Sequence, residues 1–415
     1  MKYSLATLVA NAFTAHRNWP SAWRNAEPQE SYDAVIVGGG GHGLATAYYL
    51  AAVHGMRRIA VLERSWIGGG NTGRNTAVIR SNYLYPQSAR FYDFSLRLYE
   101  QLGTELDFNI MFSQRGVLTL AHSRHDLEQY ARWTNAMHCN GVDAELLDID
   151  DVRRLVPHLN SSDKMRFPVL GGLLQPRAGI ARHDAVVWAY ARAASRLGVD
   201  IVQDCGVSRI LTCGDRVIGV ETSRGRINTD RVALTAASRS GELAATAGVR
   251  LPIFSYALQA MVSEPVKPVL DTVVLSPATG VYVSQADKGE LVIGGPLDRF
   301  ASYAQRGAFA TTQWIAAGLL DMFASFGQLK LMRQWAGTVD VVHDSSPIIG
   351  RTPVQGLFVS CGWGTGGFKA IPGGGFALAQ TIATGVSHPF IAPFGLERFA
   401  SGRLIDEAAA AGIAH

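Results

Sequence analysis

The sequence predicts an α/β fold, and three observations carry this prediction. A β-type apolar run, Asp33 to Val37, leads directly into a glycine-rich turn. A helical segment, Leu44 to about His54, follows the turn, and a second strand covers Ile59 to Leu62. The order strand, glycine turn, helix returns near the other end of the chain, in residues 356–385. This order is typical of a Rossmann-like, dinucleotide-binding domain.

The glycines of the first turn stand in G-x-G-x-x-G register. Gly38 allows the tight turn, Gly40 lets the backbone approach a pyrophosphate, and Gly43 lets the helix pack against its strand. The helix then directs its amide groups and positive dipole end at the phosphates. Glu63 follows Gly43 by 20 residues, which suits a carboxylate that accepts hydrogen bonds from ribose hydroxyls. Its charge repels a 2′-phosphate, so the predicted ligand is FAD or NAD rather than NADP.

A second glycine-rich loop, Trp66 to Tyr83, favours FAD over NAD. Its glycines and short polar side chains supply amides and hydroxyls that can follow a ligand extending past the pyrophosphate. Arg80 ends the segment AVIR and is the first cation positioned to face an isoalloxazine ring.

Composition limits the class of protein. With 47% hydrophobic and 17% charged residues, a chain of 415 residues can bury a large core and should form about two domains. The net charge of +4 comes without a long Lys/Arg block, so no nucleic-acid partner is expected. Four scattered cysteines without a C-x-x-C pair argue against a metal cluster or a secreted disulfide framework, and favour a reducing cytoplasm. No segment approaches the roughly 20 apolar residues of a membrane span.

We expect an N-terminal arm and two domains. The arm comprises residues 1–30. Its start resembles the apolar region of a secretory signal, but this apolar run is short and interrupted by polar residues. We therefore expect the arm to dock on this subunit or on a neighbouring one. The FAD-binding domain is discontinuous and comprises residues 31–83, 176–250 and 336–415. Residues 84–175 and 251–335 form a second, α+β substrate domain built on a mixed or antiparallel sheet.

The remaining elements follow from periodicity. The helices are predicted over Pro86 to Asp107, Asp126 to Asn140, LLDIDDVRRLVPHL, Asp184 to Leu197 and Thr311 to Ala324. The strands are predicted over FSQRGVLTLAH, Val199 to Val202, Val217 to Thr222, Arg231 to Thr235, several runs between Leu251 and Trp335, and RQWAGTVDVV. The last unit is a strand LFVSC, a glycine turn GWGTGGFKAIPGGG and a helix FALAQTIATG. A second helix N-terminus aimed at a flavin would stabilise the negative charge that reduction places on the ring.

Several of these motifs together resemble one family. The segments HRNWPSAWR, GGGGHGLATAYYLA, GGGNTGRNTAVIRSNY, QPRAGIARHD and CGWGTGGFKAIPG are similar to those of the β subunits of heterotetrameric sarcosine oxidases, which are flavoproteins of the D-amino-acid-oxidase-like FAD-dependent oxidoreductases. The resemblance covers nearly the whole chain. It implies a partnership with α, γ and δ subunits, oxidation of a secondary amino acid by hydride transfer to non-covalent FAD, and delivery of the imine to tetrahydrofolate in the α subunit. It also implies a covalent FMN that passes electrons to O₂ and yields H₂O₂.

The resemblance assigns roles to individual residues. His183, in the motif ARHD, is the expected attachment point of FMN. Lys369 and Arg80 are the expected catalytic pair that grips the substrate carboxylate, since Arg favours a bidentate contact and Lys a point charge. Thr72 and Arg333, like Arg80, are candidates near either flavin or the substrate. The residues expected to contact FAD are Gly38, Gly40, Gly41, His42, Gly43, Glu63, Asn71, Thr76, Ala77, Val207, Gly364, Gly367 and Lys369.

The substrate stays open between sarcosine and another secondary amine. The chain departs from the family pattern at Tyr256 to Gln259, at Gly294 to Asp298 and in its C-terminal tail, and these changes fall in the substrate domain or at expected subunit contacts. Two rival functions also remain. One is a single-flavin amino-acid dehydrogenase that passes electrons to a carrier or quinone, and the other is a non-catalytic electron-transfer subunit.

Overall fold

A computed structural model describes residues 4–15, 17 and 21–405. Parts of the HRNWPSAWR segment and the altered tail, residues 407–415, therefore lie outside the described residues. The arm begins with a helix whose apolar side chains, Leu5 and Phe13 among them, are exposed. Within the described ranges, no helix combines the length and the apolar character that crossing a bilayer requires.

The elements are numbered in chain order. The helices are α1 (Leu5–Phe13), α2 (Gly41–Ala52), α3 (Pro86–Glu105), α4 (Arg124–Cys139), α5 (Ile149–Leu155), α6 (His183–Arg196), α7 (Ser240–Ala245), α8 (Phe309–Met322), α9 (Ile371–Thr384) and α10 (Arg398–Ser401). The strands are β1 (Ala34–Val37), β2 (Ile59–Leu62), β3 (Val78–Ile79), β4 (Val117–Ala121), β5 (Glu145–Asp148), β6 (Gly171–Gln175), β7 (Gly179–Ile180), β8 (Asp200–Val202), β9 (Val207–Cys213), β10 (Arg216–Thr222), β11 (Gly225–Asn228), β12 (Val232–Leu234), β13 (Ile253–Pro265), β14 (Val273–Ser276), β15 (Val281–Gln285), β16 (Glu290–Ala301), β17 (Leu331–Val342), β18 (Ile348–Arg351) and β19 (Leu357–Cys361).

A six-stranded sheet, in the order β18-β19-β12-β1-β2-β8, carries the first glycine turn. Its strands pair in parallel except for β18, which is antiparallel to β19. Both faces are covered: Ala34 and Ile36 face the core formed with α2, α3, α6 and α9, whereas Val35 and Val37 face the core shared with β9 and β10. Burial on both faces explains why β1 is an unbroken apolar run rather than an alternating one.

An eight-stranded mixed sheet, in the order β17-β13-β16-β15-β14-β4-β6-β5, forms the second layer, and α5 and α8 pack on it. The predicted fold class is thereby confirmed: a Rossmann-like unit stands beside an α+β unit on a mixed sheet. The predicted domain boundary at residue 335 falls inside β17, which belongs to the larger sheet throughout. The division into domains stays a prediction.

Three segments differ from the sequence-based prediction. Helix α2 starts at Gly41 rather than Leu44, so Gly40 is its N-cap and Gly43 lies in its first turn. The segment LLDIDDVRRL begins as β5, paired with β6, and becomes helical only after Asp148, which caps α5.

The last helix also starts early, because the three glycines of PGGG are helical rather than part of the turn. They bring α9 close to its neighbours: a Cβ placed on Gly375 would lie 2.5 Å from the Cβ of Ala45 in α2, and one on Gly373 would lie 2.9 Å from the Cβ of Ser95 in α3.

Candidate functional site

A cavity of about 730 Å³ lies where the two glycine turns meet the eight-stranded sheet. Strands β1, β2, β12 and β19 end at its wall, as expected for a ligand at the carboxyl edge of a parallel sheet. The predicted site residues that line it are Gly38, Gly40, Gly41, His42, Glu63, Asn71, Thr72, Thr76, Arg80, Val207, Gly364, Gly367 and Lys369. The cavity thus brings together residues more than 300 positions apart in the chain.

The first turn is shaped by close backbone approach. A Cβ on Gly43 would lie 2.0 Å from the carbonyl oxygen of Gly38, so Gly43 packs inside the turn and does not line the cavity. The amide of Gly41 donates to the hydroxyl of Thr72 at 3.1 Å. The carboxylate of Glu63 accepts from the amide of Gly39 at 2.8 Å and from that of Ser65 at 3.0 Å. Since a carboxylate has about four acceptor sites, Glu63 can order the turn and still accept from a ligand.

The second glycine-rich loop is tied to the larger sheet by side chains. The amide group of Asn71 exchanges two hydrogen bonds with the backbone of Thr338 on β17, so it anchors the loop. Thr76 bonds to the hydroxyl of Tyr282 at 2.9 Å. Ala77 adopts a positive φ of 62° and its carbonyl accepts from the amide of Ala181, which places it behind the cavity wall rather than in the lining.

His42 connects the first glycine turn to the second. Its Nε2 lies 2.9 Å from the carbonyl oxygen of Gly367, and its ring stacks on Trp363 with centroids 4.6 Å apart. Because a carbonyl can only accept, Nε2 carries the proton. Burial lowers the pKa of His42 to about 4 despite that hydrogen bond. His42 is therefore neutral at physiological pH and acts as a fixed donor to the second turn.

Lys369 and Arg80 form a buried pair of cations at the cavity. Their exposed fractions are 5% and 9%, and both face the ring of Tyr83, at 5.8 Å and 5.0 Å from its centroid. Burial, together with the charge of Arg80, holds the pKa of Lys369 well below its usual range. Among residues 4–15, 17 and 21–405, neither cation forms an ion pair with an acidic side chain. Such a pair is suited to bind an anion.

Two other predicted residues lie outside the lining. His183 starts α6, and its buried Nδ1 has no hydrogen-bond partner. Burial lowers the pKa of His183, Arg182 adds to this and Asp184 opposes it, so the imidazole is neutral at pH 7. His183 follows β7, whose Ile180 pairs with the lining residue Val78. Arg333 is exposed on β17, and its charge helps to lower the pKa of Arg74.

The lining also includes residues that were absent from the sequence-based set, among them Tyr282, Asp340 and Trp363. Tyr282 was hidden in an ordinary strand pattern, and only the pairing of β15 places its hydroxyl near Thr76. Asp340 offered a signal, namely a carboxylate inside the apolar run TVDVV. It is 3% exposed, it accepts from the amide of Gly362, and burial raises its pKa to about 6.

Comparisons with known proteins agree with this geometry. The model of the FAD-dependent oxidoreductase family matches residues 33–381. Sarcosine oxidase subunit beta of Rhodobacter capsulatus is 50% identical over 414 residues, which cover 100% of both chains. The protein of the same name from an Arthrobacter species is 53% identical over 393 residues, 95% of this chain and 97% of the relative.

A solved structure has a similar fold. L-proline dehydrogenase from P. horikoshii superposes with a TM-score of 0.85 at 25% identity, over 91% of this chain and 100% of that one. The chain therefore belongs to the FAD-dependent oxidoreductase family, as a flavin-dependent amine oxidoreductase in the group of sarcosine oxidase β subunits.

Proposed function

We propose that this chain oxidises sarcosine or a related N-methyl or secondary amino acid, with FAD held non-covalently in the cavity. The observation that carries the proposal is the pair of buried cations, Lys369 and Arg80, beside a cavity lined by two glycine turns. Bound FAD supplies the hydride acceptor for the carbon next to the substrate nitrogen. The relatives named sarcosine oxidase subunit beta support this substrate class.

The residues of the cavity fit the cofactor. Gly38, Gly40 and Gly41 expose backbone rather than side chains at the start of α2, where amides and the helix dipole favour a pyrophosphate. Glu63 can accept from the ribose hydroxyls. Thr72 and Thr76 add hydroxyl groups along the second loop, and Val207 adds an apolar surface on the side of the first turn.

Lys369 and Arg80 orient the substrate in this proposal. A carboxylate between them would relieve their mutual repulsion and favour the charged form of Lys369, whose pKa is lowered in the unliganded protein. The same cations disfavour a protonated amine close by, so the substrate nitrogen loses its proton before oxidation without a dedicated general base. Trp363, fixed between His42 and Phe91, limits the space available to the substrate.

We further propose that His183 holds FMN covalently. Its neutral imidazole with a buried, unpartnered Nδ1 fits a nucleophile that attacks an electron-poor flavin methyl group. Bound FMN supplies the place where electrons reach O₂ and give H₂O₂. The strand pairing between Val78 and Ile180 places the His183 segment beside the wall of the FAD cavity, so a flavin on His183 would be held by the segment next to that wall.

The partners in this proposal are α, γ and δ subunits, with tetrahydrofolate bound by the α subunit as acceptor of the imine carbon. The printed name "subunit beta" of the relatives supports a multi-subunit complex. The thiols of Cys139, Cys205, Cys213 and Cys361 are all free, which fits the proposed cytoplasmic location. Within the chain we propose the arm and the two domains predicted above, with the whole of β17 assigned to the substrate domain.

A single-flavin dehydrogenase is the second candidate. The fold of L-proline dehydrogenase from P. horikoshii favours it, since that protein matches 91% of this chain. Such an enzyme would pass electrons to a carrier or quinone and would carry no flavin on His183. If the chain is instead a non-catalytic electron-transfer subunit, Lys369→Ala should leave turnover intact.

Two measurements on the purified complex separate these possibilities. Acid precipitation should leave a fluorescent flavin on the wild-type protein and none on His183→Ala. The control variant Arg196→Ala, at the other end of α6, should retain the flavin. A colourless wild-type pellet would end the FMN proposal. Anaerobic titration with sarcosine, other N-methyl amino acids, proline and glycine should bleach the FAD absorption with at least one of them, and failure of every secondary amine would contradict the proposed oxidation.

A further inference from the structure

Asp340 faces the second glycine turn across the cavity wall. It lies on β17 opposite Ser255 of β13, and its carboxylate accepts from the amide of Gly362. The amides of Gly362 and Trp363 both stabilise its ionised form. Burial outweighs them and raises the pKa of Asp340 to about 6. The carboxylate is thus kept in an environment that disfavours its charge.

A second buried carboxylate four residues away has the opposite environment. Asp344 forms a two-pronged ion pair with Arg398 at 2.8 Å and 2.9 Å, and both side chains are almost fully buried. Asp340 forms no ion pair in the described part of the chain. The ion pair of Asp344 therefore attaches the C-terminal segment, through Arg398, to the rest of the fold. Asp340 instead accepts hydrogen bonds from backbone amides of the turn that lines the cavity.

The turn itself needs external support. Gly362 and Gly364 have positive φ values of 70° and 52°, and the next residues form short 3₁₀ turns rather than regular helix before α9. The segment ends at Lys369, and its Trp363 stacks on His42. Amides at the start of such a turn, held by a carboxylate, fix the direction in which the following residues leave the strand.

We propose that Asp340 is a positioning residue of the oxidation site, which holds the turn Gly362 to Gly367 so that Trp363 and Lys369 stand at the cavity. One consequence of this inference rests on the proposed function, namely that the held turn allows Lys369 to bind the substrate carboxylate. The hold on the turn is a property of the chain alone and is measurable without any substrate.

The matched variants are Asp340→Asn and Asp344→Asn, each nearly isosteric with the carboxylate it replaces. Hydrogen exchange, followed by mass spectrometry on the complex, should show at least tenfold faster exchange in the peptide spanning residues 362–369 for Asp340→Asn. In Asp344→Asn the faster exchange should appear in residues 394–405 instead. Acetate, the simplest carboxylate probe, should bind Asp340→Asn roughly tenfold more weakly, as read from the flavin absorption, and Asp344→Asn with unchanged affinity.

Unchanged exchange of residues 362–369 in Asp340→Asn overturns the proposal. Faster exchange with unchanged acetate affinity overturns it too, because Asp340 would then be structural only. If wild-type protein fails to bind acetate, the proposed function fails, while the exchange experiment still decides whether Asp340 holds the turn.

Wild-type protein provides a second measurement if Asp340→Asn does not fold. Protonation of the carboxylate should loosen residues 362–369 between pH 7.5 and pH 5, after correction for intrinsic exchange; an unchanged protection factor contradicts the proposal. The other charged or titratable groups near this turn include Cys361, Arg398, Arg80, Lys369, His42 and the phenols of Tyr83 and Tyr92. Burial raises the pKa of Cys361 and lowers that of Lys369, so the uncharged form of each is favoured, and the pKa of His42 is about 4.

Discussion

The two strand, glycine turn and helix junctions of this protein share a plan but use it differently. At the first junction, Gly38 to Gly43, the helix packs on the backbone of the turn at Gly43, and the carboxylate of Glu63 beyond the turn accepts from the amide of Gly39. At the second, Gly362 to Gly367, buried charges surround the turn: Lys369, Arg80 and Asp340. In the function proposed above, the first junction would bind the constant part of the cofactor, whereas the second would carry the side chains that orient a substrate.

The largest effect is expected at Gly43. A Cβ there would lie 2.0 Å from the carbonyl oxygen of Gly38, where real contacts need at least 3.0 Å, so Gly43→Ala must distort the turn. We expect less than about a tenth of the wild-type FAD content, since the phosphate site depends on that backbone. Extracted flavin per chain is the measurement. Gly103→Ala, in a helix with ordinary clearance of 3.5 Å, is the control and should keep its FAD.

Lys369→Met tests the second junction without touching the first. We expect FAD content to stay at the wild-type value and kcat/KM for the amino acid to fall roughly 10- to 100-fold, because a hydrogen bond to a charged group contributes about 1.5 to 3 kcal/mol. Steady-state kinetics measure this. The exposed Lys330→Met serves as control; equal activity of both variants would remove Lys369 from the site.

Asp340→Asn should change the pH dependence of stability. The pKa of Asp340 is 3.8 in the unfolded chain and about 6 in the folded one, so the folded state is relatively most stable below pH 3.8 and loses stability as pH rises to 6. The free energy of unfolding falls by at most about 3 kcal/mol over this pH range. Thermal unfolding between pH 4.5 and pH 7.5 should therefore show a smaller decline for Asp340→Asn than for wild type. Parallel curves for the two proteins would contradict the assigned environment.

The smallest effect is expected at Glu63. Gln can still accept hydrogen bonds from Gly39 and from ribose hydroxyls, but neutral acceptors are roughly half as strong as charged ones. Glu63→Gln should weaken FAD binding about tenfold, measured by fluorescence during reconstitution of the apoprotein. Glu221→Gln, exposed on β10, should leave the affinity unchanged, and an equal loss in both variants would show that net charge rather than Glu63 is responsible.

The same contrast explains what could be predicted from the sequence. The constraints on Gly38, Gly43 and Glu63 are local or follow from a fixed spacing, so the motif reveals them. The role of Asn71, predicted as a cofactor contact, depends on β17, 267 residues away, and the structure shows it as an anchor of the loop. Tyr282 became visible only through strand pairing, because a single phenol in a strand has no periodic signature, whereas Asp340 stood out as a carboxylate in an apolar run but its contact with the second turn did not.

The most direct test titrates acetate into the Lys369→Met complex while recording the flavin absorption. We predict one FAD per chain with an unperturbed yield, and an acetate dissociation constant at least tenfold above that of the wild type. The account would be contradicted if Lys369→Met lost FAD while the fraction that still holds FAD bound acetate as tightly as the wild type. The second junction would then bind the cofactor rather than a carboxylate.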